Sequence, residues 1–131
     1  MSSLVQRIVD LVARIGGVVA TKIDASHPGV ARAWVSFGYV SGQIVLHAAH
    51  NVASVTRTGT GRYRIAFATP MPDADYCWTA LARSSVDTGQ QRIAFVRASA
   101  DIKTAQHVDV SCATTATSFA DSSEINLVVY R

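Results

Sequence analysis

The chain has 131 residues, 49% of them hydrophobic and only 16% charged, enough for one packed domain with a small appendage. Low charge, eight glycines and three prolines exclude a disordered tail or a collagen-like rod. A net charge of +3 is too weak for the basic stripe of a dedicated nucleic-acid binder, and the apolar runs are too short and interrupted for membrane insertion.

Residues 3 to about 21 are predicted to form a helix. Ser3 suits the N-cap, and Gln6 follows at the spacing of a capping box. Leu4, Ile8, Leu11, Ile15 and Val18 recur at alternating steps of four and three, the a/d seam of a coiled coil. Val5, Val12 and Val19 add a second stripe, so the apolar face is wider than a two-stranded coil requires. That width suits a homotrimer, the preferred reading for a helix set apart by a polar joint; the alternative is a helix lying on the protein's own sheet. Gly16 and Gly17 weaken the last turn and are expected to end the helix early. Arg7, Asp10 and Arg14 interrupt the stretch, so it does not read as a secretory signal. The domain plan is therefore an oligomerisation or attachment helix in 1–25, a joint in 26–30 punctuated by Pro28-Gly29, and a β domain in 31–131.

Beyond the joint the hydrophobic period becomes two. Strands are predicted at Ala31–Phe37, Gln43–Ala49, Val52–Thr58, Arg62–Thr69, Tyr76–Arg83, Gln91–Ala98, His107–Thr114 and Ile125–Arg131. Thr58-Gly59-Thr60-Gly61 reads as a hairpin loop, and Pro70-Met71-Pro72-Asp73 as a corner. The expected fold is mainly β: an N-terminal amphipathic, coiled-coil helix followed by an antiparallel β-sandwich.

Catalysis, metal binding and cofactors are not expected. His47 and His50 are three apart in a strand region, where alternation puts them on opposite faces, and no cysteine pair or carboxylate motif completes a zinc site. There is no nucleophile elbow, and Gly59 and Gly61 precede no helix, as a phosphate loop requires. Asp73 and Asp75 read as turn residues beside Pro70 and Pro72. Cys77 and Cys112 are expected to be reduced, buried thiols within strands.

Two sets of residues stand out as contact candidates. Arg62 and Arg64 share one face of a strand, with Arg57 nearby; the row serves either as edge protection or as a contact for an acidic partner or anionic glycan. Tyr39, in a glycine-flanked loop, is the aromatic expected to be exposed, and Trp34 is a candidate interface anchor. Trp78 and Tyr76 share a face that points to the core.

The runs Ala33-Trp34-Val35-Ser36-Phe37, Gly59-Thr60-Gly61-Arg62-Tyr63-Arg64-Ile65-Ala66-Phe67, Thr69-Pro70-Met71-Pro72-Asp73-Ala74-Asp75-Tyr76 and Ala120-Asp121-Ser122-Ser123-Glu124-Ile125 together resemble a recurrent C-terminal domain of tailed-bacteriophage virion proteins. The resemblance covers roughly residues 31 to 131, with a shorter segment at Gly38–Gly42 than the family often carries. It implies a virion structural protein made in the bacterial cytoplasm, a peripheral fibre or spike component that touches other virion proteins and a host-surface glycan. The alternatives are a capsid decoration or head-fibre protein with a purely structural role, and a carbohydrate-binding module similar to H-type lectin sandwiches.

Overall fold

A computed structural model describes residues 3–20, 22, 24 and 26–131. The chain divides into two compact units, residues 1–30 and 31–131.

The first unit holds helix α1, Leu4–Ala20. Ser3 caps it: the Ser3 hydroxyl accepts the Gln6 amide N–H at 3.1 Å, and its carbonyl accepts the N–H of Arg7 at 3.1 Å. The reciprocal half of the capping box is replaced, because the Gln6 side chain donates forward to the Asp10 carboxylate at 3.0 Å. Gly16 and Gly17 do not stop the helix, which runs to Ala20; glycine lowers helix stability by about 1 kcal/mol against alanine but still makes the backbone bonds. Thr21, the end of the predicted span, lies outside the described residues, as does Ala25, the last residue of the 1–25 segment. At the entry to the joint the Asp24 carboxylate accepts the Ser26 amide N–H at 2.8 Å, the local bond that makes Asp a turn residue.

The second unit is a sandwich of two four-stranded antiparallel sheets. Strands β1 (Ala31–Val40), β2 (Gln43–His50), β5 (Cys77–Arg83) and β8 (Glu124–Tyr130) form one sheet in the order β2-β1-β8-β5. Strands β3 (Val52–Gly59), β4 (Arg62–Phe67), β6 (Arg92–Phe95) and β7 (His107–Thr114) form the other in the order β3-β4-β7-β6. Period-two alternation decides which side chains meet between them. Val35 and Phe37 on β1, Ile125, Leu127 and Val129 on β8, Tyr63 and Ile65 on β4, and Val108, Val110 and Cys112 on β7 are all buried in one core. Each large apolar side chain removed from water there contributes about 1.5–3 kcal/mol. Phe37 and Tyr63 meet edge to face across the layers, centroids 5.3 Å apart.

All eight predicted strands are present, with three informative changes at their ends. β1 runs on to Val40 and turns at Ser41-Gly42, both with positive φ (52° and 78°), a two-residue hairpin that places Tyr39 in the strand. β4 stops at Phe67 because the Thr69 N–H is taken by the Asn51 side-chain oxygen at 2.6 Å. β6 shortens to Arg92–Phe95 because the chain then folds Arg97 onto Asp101, whose carboxylate accepts the Arg97 N–H at 2.7 Å.

The proline corner follows β4. Met71 is buried there and donates its N–H to the Ala105 carbonyl at 2.8 Å. Tyr76 closes the same end: it packs edge to face on Phe67, its hydroxyl 2.8 Å from the Thr104 carbonyl, and burial pushes its phenol pKa up to about 12.

Candidate functional site

Three features of the described surface bear on function: the apolar face of α1, the arginine row, and the outer face of the β1-containing sheet.

On α1, Leu4, Ile8, Leu11, Ile15 and Val18 are each more than half exposed, and the helix has no buried residue. Val5, Val12 and Val19 are exposed beside them. An exposed apolar stripe of this width exceeds the scattered apolar residues ordinary on a protein surface. No helix among the described residues is long and apolar enough to cross a membrane.

The arginine row is placed differently from its edge-protection reading. β4, which carries Arg62 and Arg64, is an interior strand of its sheet, so its charges guard no edge. Arg64 stands directly opposite Asp109 of β7 and donates to it twice, from Nε at 2.8 Å and from a terminal nitrogen at 3.0 Å. Asp109 also accepts the Ile102 N–H at 3.1 Å. Arg62 lays its guanidinium over the Phe119 ring, 4.3 Å from the centroid, and Arg97 approaches the same ring at 5.6 Å. The row is knitted into its own fold.

Arg57 belongs to a separate centre built on Asp121. The two Asp121 carboxylate oxygens accept from Arg57 at 3.1 and 2.9 Å, and one of them also accepts the Gly61 N–H at 2.9 Å and the Tyr63 hydroxyl at 2.6 Å. Burial works against the Asp121 anion, but the bonds from Arg57, Tyr63 and Gly61 outweigh it and hold its pKa below the usual carboxylate range. Burial, reinforced by the bond to Asp121, drives the Tyr63 phenol far upward. Tyr39 is not a loop aromatic: it is a half-buried β1 residue whose ring lies 4.5 Å beneath the Arg57 guanidinium. Two of the quoted motif runs, Gly59–Tyr63 and Ala120–Ser122, therefore meet at this carboxylate. Gly61 is required at the junction, since its φ is +66° and a Cβ there would run into the carbonyl of Cys112 and the backbone of Ala120.

Of the two aromatic contact candidates, Trp34 is the exposed one, at 39% on the outer face of its sheet. It stacks on His50, centroids 6.5 Å apart, and borders an open hollow of about 450 Å³ that also includes Ser36, Thr79, Leu81, Asn126 and Val128. The hollow is mainly apolar, with three short polar side chains around the indole.

Chemistry-bearing groups are dispersed. Among the described residues, no three His, Cys, Asp or Glu side chains gather as metal ligands. His47 and His50 are both exposed on β2, and His47 is the extra residue of a bulge, so simple alternation does not carry through it. Both cysteines are free. Cys112 is buried, which pushes its thiol up to about 11, whereas Cys77 faces solvent. The expectation of two buried thiols fails at Cys77 because it opens β5 on the outward side of an alternating strand. No local pattern in the sequence marks Asp121, Asp109 or Asp101 as the acceptors of these arginines. Arg57 and Asp121 are 64 positions apart, so nothing local announces their pairing.

Comparison of the chain with protein-family models, curated proteins and solved structures returns no match.

Proposed function

We propose that the chain is a structural protein of a tailed-phage particle, a homotrimer assembled through α1 that presents its β-sandwich as a peripheral fibre or spike component. The observation that carries the assembly is the exposed seam of Leu4, Ile8, Leu11 and Ile15 on a 17-residue helix. Three helices packed on that face would bury it, and the added valine stripe supplies the width that a bundle of more than two helices uses. The virion assignment rests on the resemblance of residues 31 to 131 to phage structural domains. Its supporting observation is that the motif glycine Gly61 and the motif acid Asp121 are direct hydrogen-bond partners.

Trp34 favours a host-glycan contact within this role. A half-exposed indole flanked by Ser36, Thr79 and Asn126 offers a stacking face and hydrogen-bonding groups for a pyranose. Antibody labelling of intact particles tests the virion role, and labelling of a distal fibre or spike is expected. Label confined to the head surface would select the capsid-decoration alternative, and particles free of the protein would overturn the assignment. Glycan-array binding by the parent and its loss in Trp34→Ala test the contact.

A further inference from the structure

The two sheets leave four edge strands: β2 and β5 in one, β3 and β6 in the other. An edge strand exposes unpaired backbone N–H and C=O groups, and proteins disarm such edges by bulges, shortness, charge or cover. Three of the four carry such a device. β2 is broken by the bulge at His47. β3 shifts register twice against β4, between Val52 and Ser54 and between Arg57 and Gly59. β6 is only four residues long.

β5 carries none of these. Its seven residues pair with β8 in unbroken register from Cys77 opposite Tyr130 to Arg83 opposite Glu124. It contains no proline and no lysine, and its one charge, Arg83, sits at the end beside Glu124, 3.4 Å away. The side chains on its two faces are also incompletely covered. Outward, Leu81 is 75% exposed. Inward, a crevice of about 290 Å³ opens between β5 and β6, bordered by Trp78, Ala80, Ala94, Phe95 and Val96. The sandwich is unsealed on this side.

We propose that β5 is an association edge that pairs antiparallel with β5 of a second copy of this chain, about a two-fold axis at Ala80. Only that centre keeps all seven residues opposed, 77 to 83 against 83 to 77. It is also the arrangement that the strand's own side chains complement. Trp78 faces Ala82 of the partner, Ala80 faces its own equivalent across the two-fold axis, and Leu81 faces Thr79, so each large group meets a small one. The paired sheets become one continuous eight-stranded sheet, and the main-chain bonds supply the affinity as in other strand additions. A second copy is favoured over an unrelated strand because the interface is self-complementary, the requirement of a two-fold contact. The contact is independent of α1 and of the role proposed above.

The test uses the full chain carrying Leu11→Glu and Ile15→Glu, so that α1 brings no copies together, with Cys77→Ser to remove the native exposed thiol. Ala80→Cys and Leu81→Cys are compared in that background under mild oxidation. Opposed residues of an antiparallel pair have Cα atoms about 4.5–5.5 Å apart. That lies inside the roughly 4.4–6.8 Å span of a disulfide. The half-buried Ala80→Cys chain is expected to form covalent dimer in preference to the far more exposed Leu81→Cys chain. Cross-linking that is absent at 80, or that follows exposure and is faster at 81, overturns the proposal. Light scattering without any added cysteine gives a second reading. Two-chain mass is expected to grow with concentration and to vanish on Thr79→Lys, whereas single-chain mass at every concentration contradicts the pairing.

Discussion

Asp121 and Gly61 are joined by a 2.9 Å hydrogen bond from the Gly61 N–H to the Asp121 carboxylate, which ties the β3–β4 turn to the connection between β7 and β8. The same carboxylate holds Arg57 and the buried Tyr63, so one side chain fixes an entire end of the sandwich. Loss of the acid leaves a guanidinium, a buried phenol and a backbone N–H without their shared acceptor.

Asp121→Ala is therefore expected to cost about 2–3 kcal/mol, the range for hydrogen bonds to a charged group and the donors they strand. Asp121→Asn should recover part of the loss, because the amide oxygen still accepts. Urea denaturation of the two variants against the parent measures both.

Acid should act on the same centre. Burial opposes the anions of Asp121, Asp109 and Asp101, yet bonds from Arg57, Arg64 and Arg97 respectively hold all three pKa values below those of the unfolded chain. A carboxylate depressed in this way binds protons more readily when unfolded. Its stabilisation is thus complete above the unfolded value of roughly 3.9 and is lost as pH falls through the folded values. The melting temperature is expected to drop steeply as pH falls below about 4, and Asp121→Asn should flatten that fall. An equally steep fall in the variant would remove Asp121 from the explanation.

Glycine substitutions separate backbone conformation from packing. Gly42 and Gly61 both have positive φ, but a Cβ on Gly42 meets nothing within 4 Å while one on Gly61 strikes the backbone of Cys112 and Ala120. Gly42→Ala should cost about 1–2 kcal/mol from conformation alone. Gly61→Ala should cost that plus roughly 1–3 kcal/mol of overpacking. Equal melting temperatures for the two would contradict the tight junction at Asp121.

The thiols should differ. In the folded protein Cys77 is exposed and is expected to react at once with an alkylating reagent, while Cys112 should react only after unfolding. Mass spectrometry with and without denaturant therefore yields one label and then two.

Period-two patterning made the strands legible. Tyr63, Ile65 and Phe67 alternate with Arg62, Arg64 and Ala66 on β4 as the sequence suggests, and the core follows directly. What patterning could not supply was sheet order. Arg62 and Arg64 look like edge charges until β4 is seen between β3 and β7, and Arg64 then has Asp109 across from it. Tyr39 departs from its loop expectation for a smaller reason: Gly38 resembles a loop residue but lies in β1, where a Cβ would collide with the Ser123 carbonyl. Glycine there marks a close approach of backbone, not a turn. The Arg57–Asp121 contact joins residues 64 positions apart and leaves no local trace.

The most direct test of the proposed assembly is the solution mass of the full chain, measured by light scattering at low concentration beside its Leu11→Glu/Ile15→Glu variant. Both positions are more than half exposed, so charge there leaves the sandwich intact while burying glutamate in any helix bundle. The parent is expected at the mass of three chains and the variant at that of one, with unchanged β-sheet circular dichroism. A parent of single-chain mass, or a variant that stays trimeric, would contradict assembly through α1.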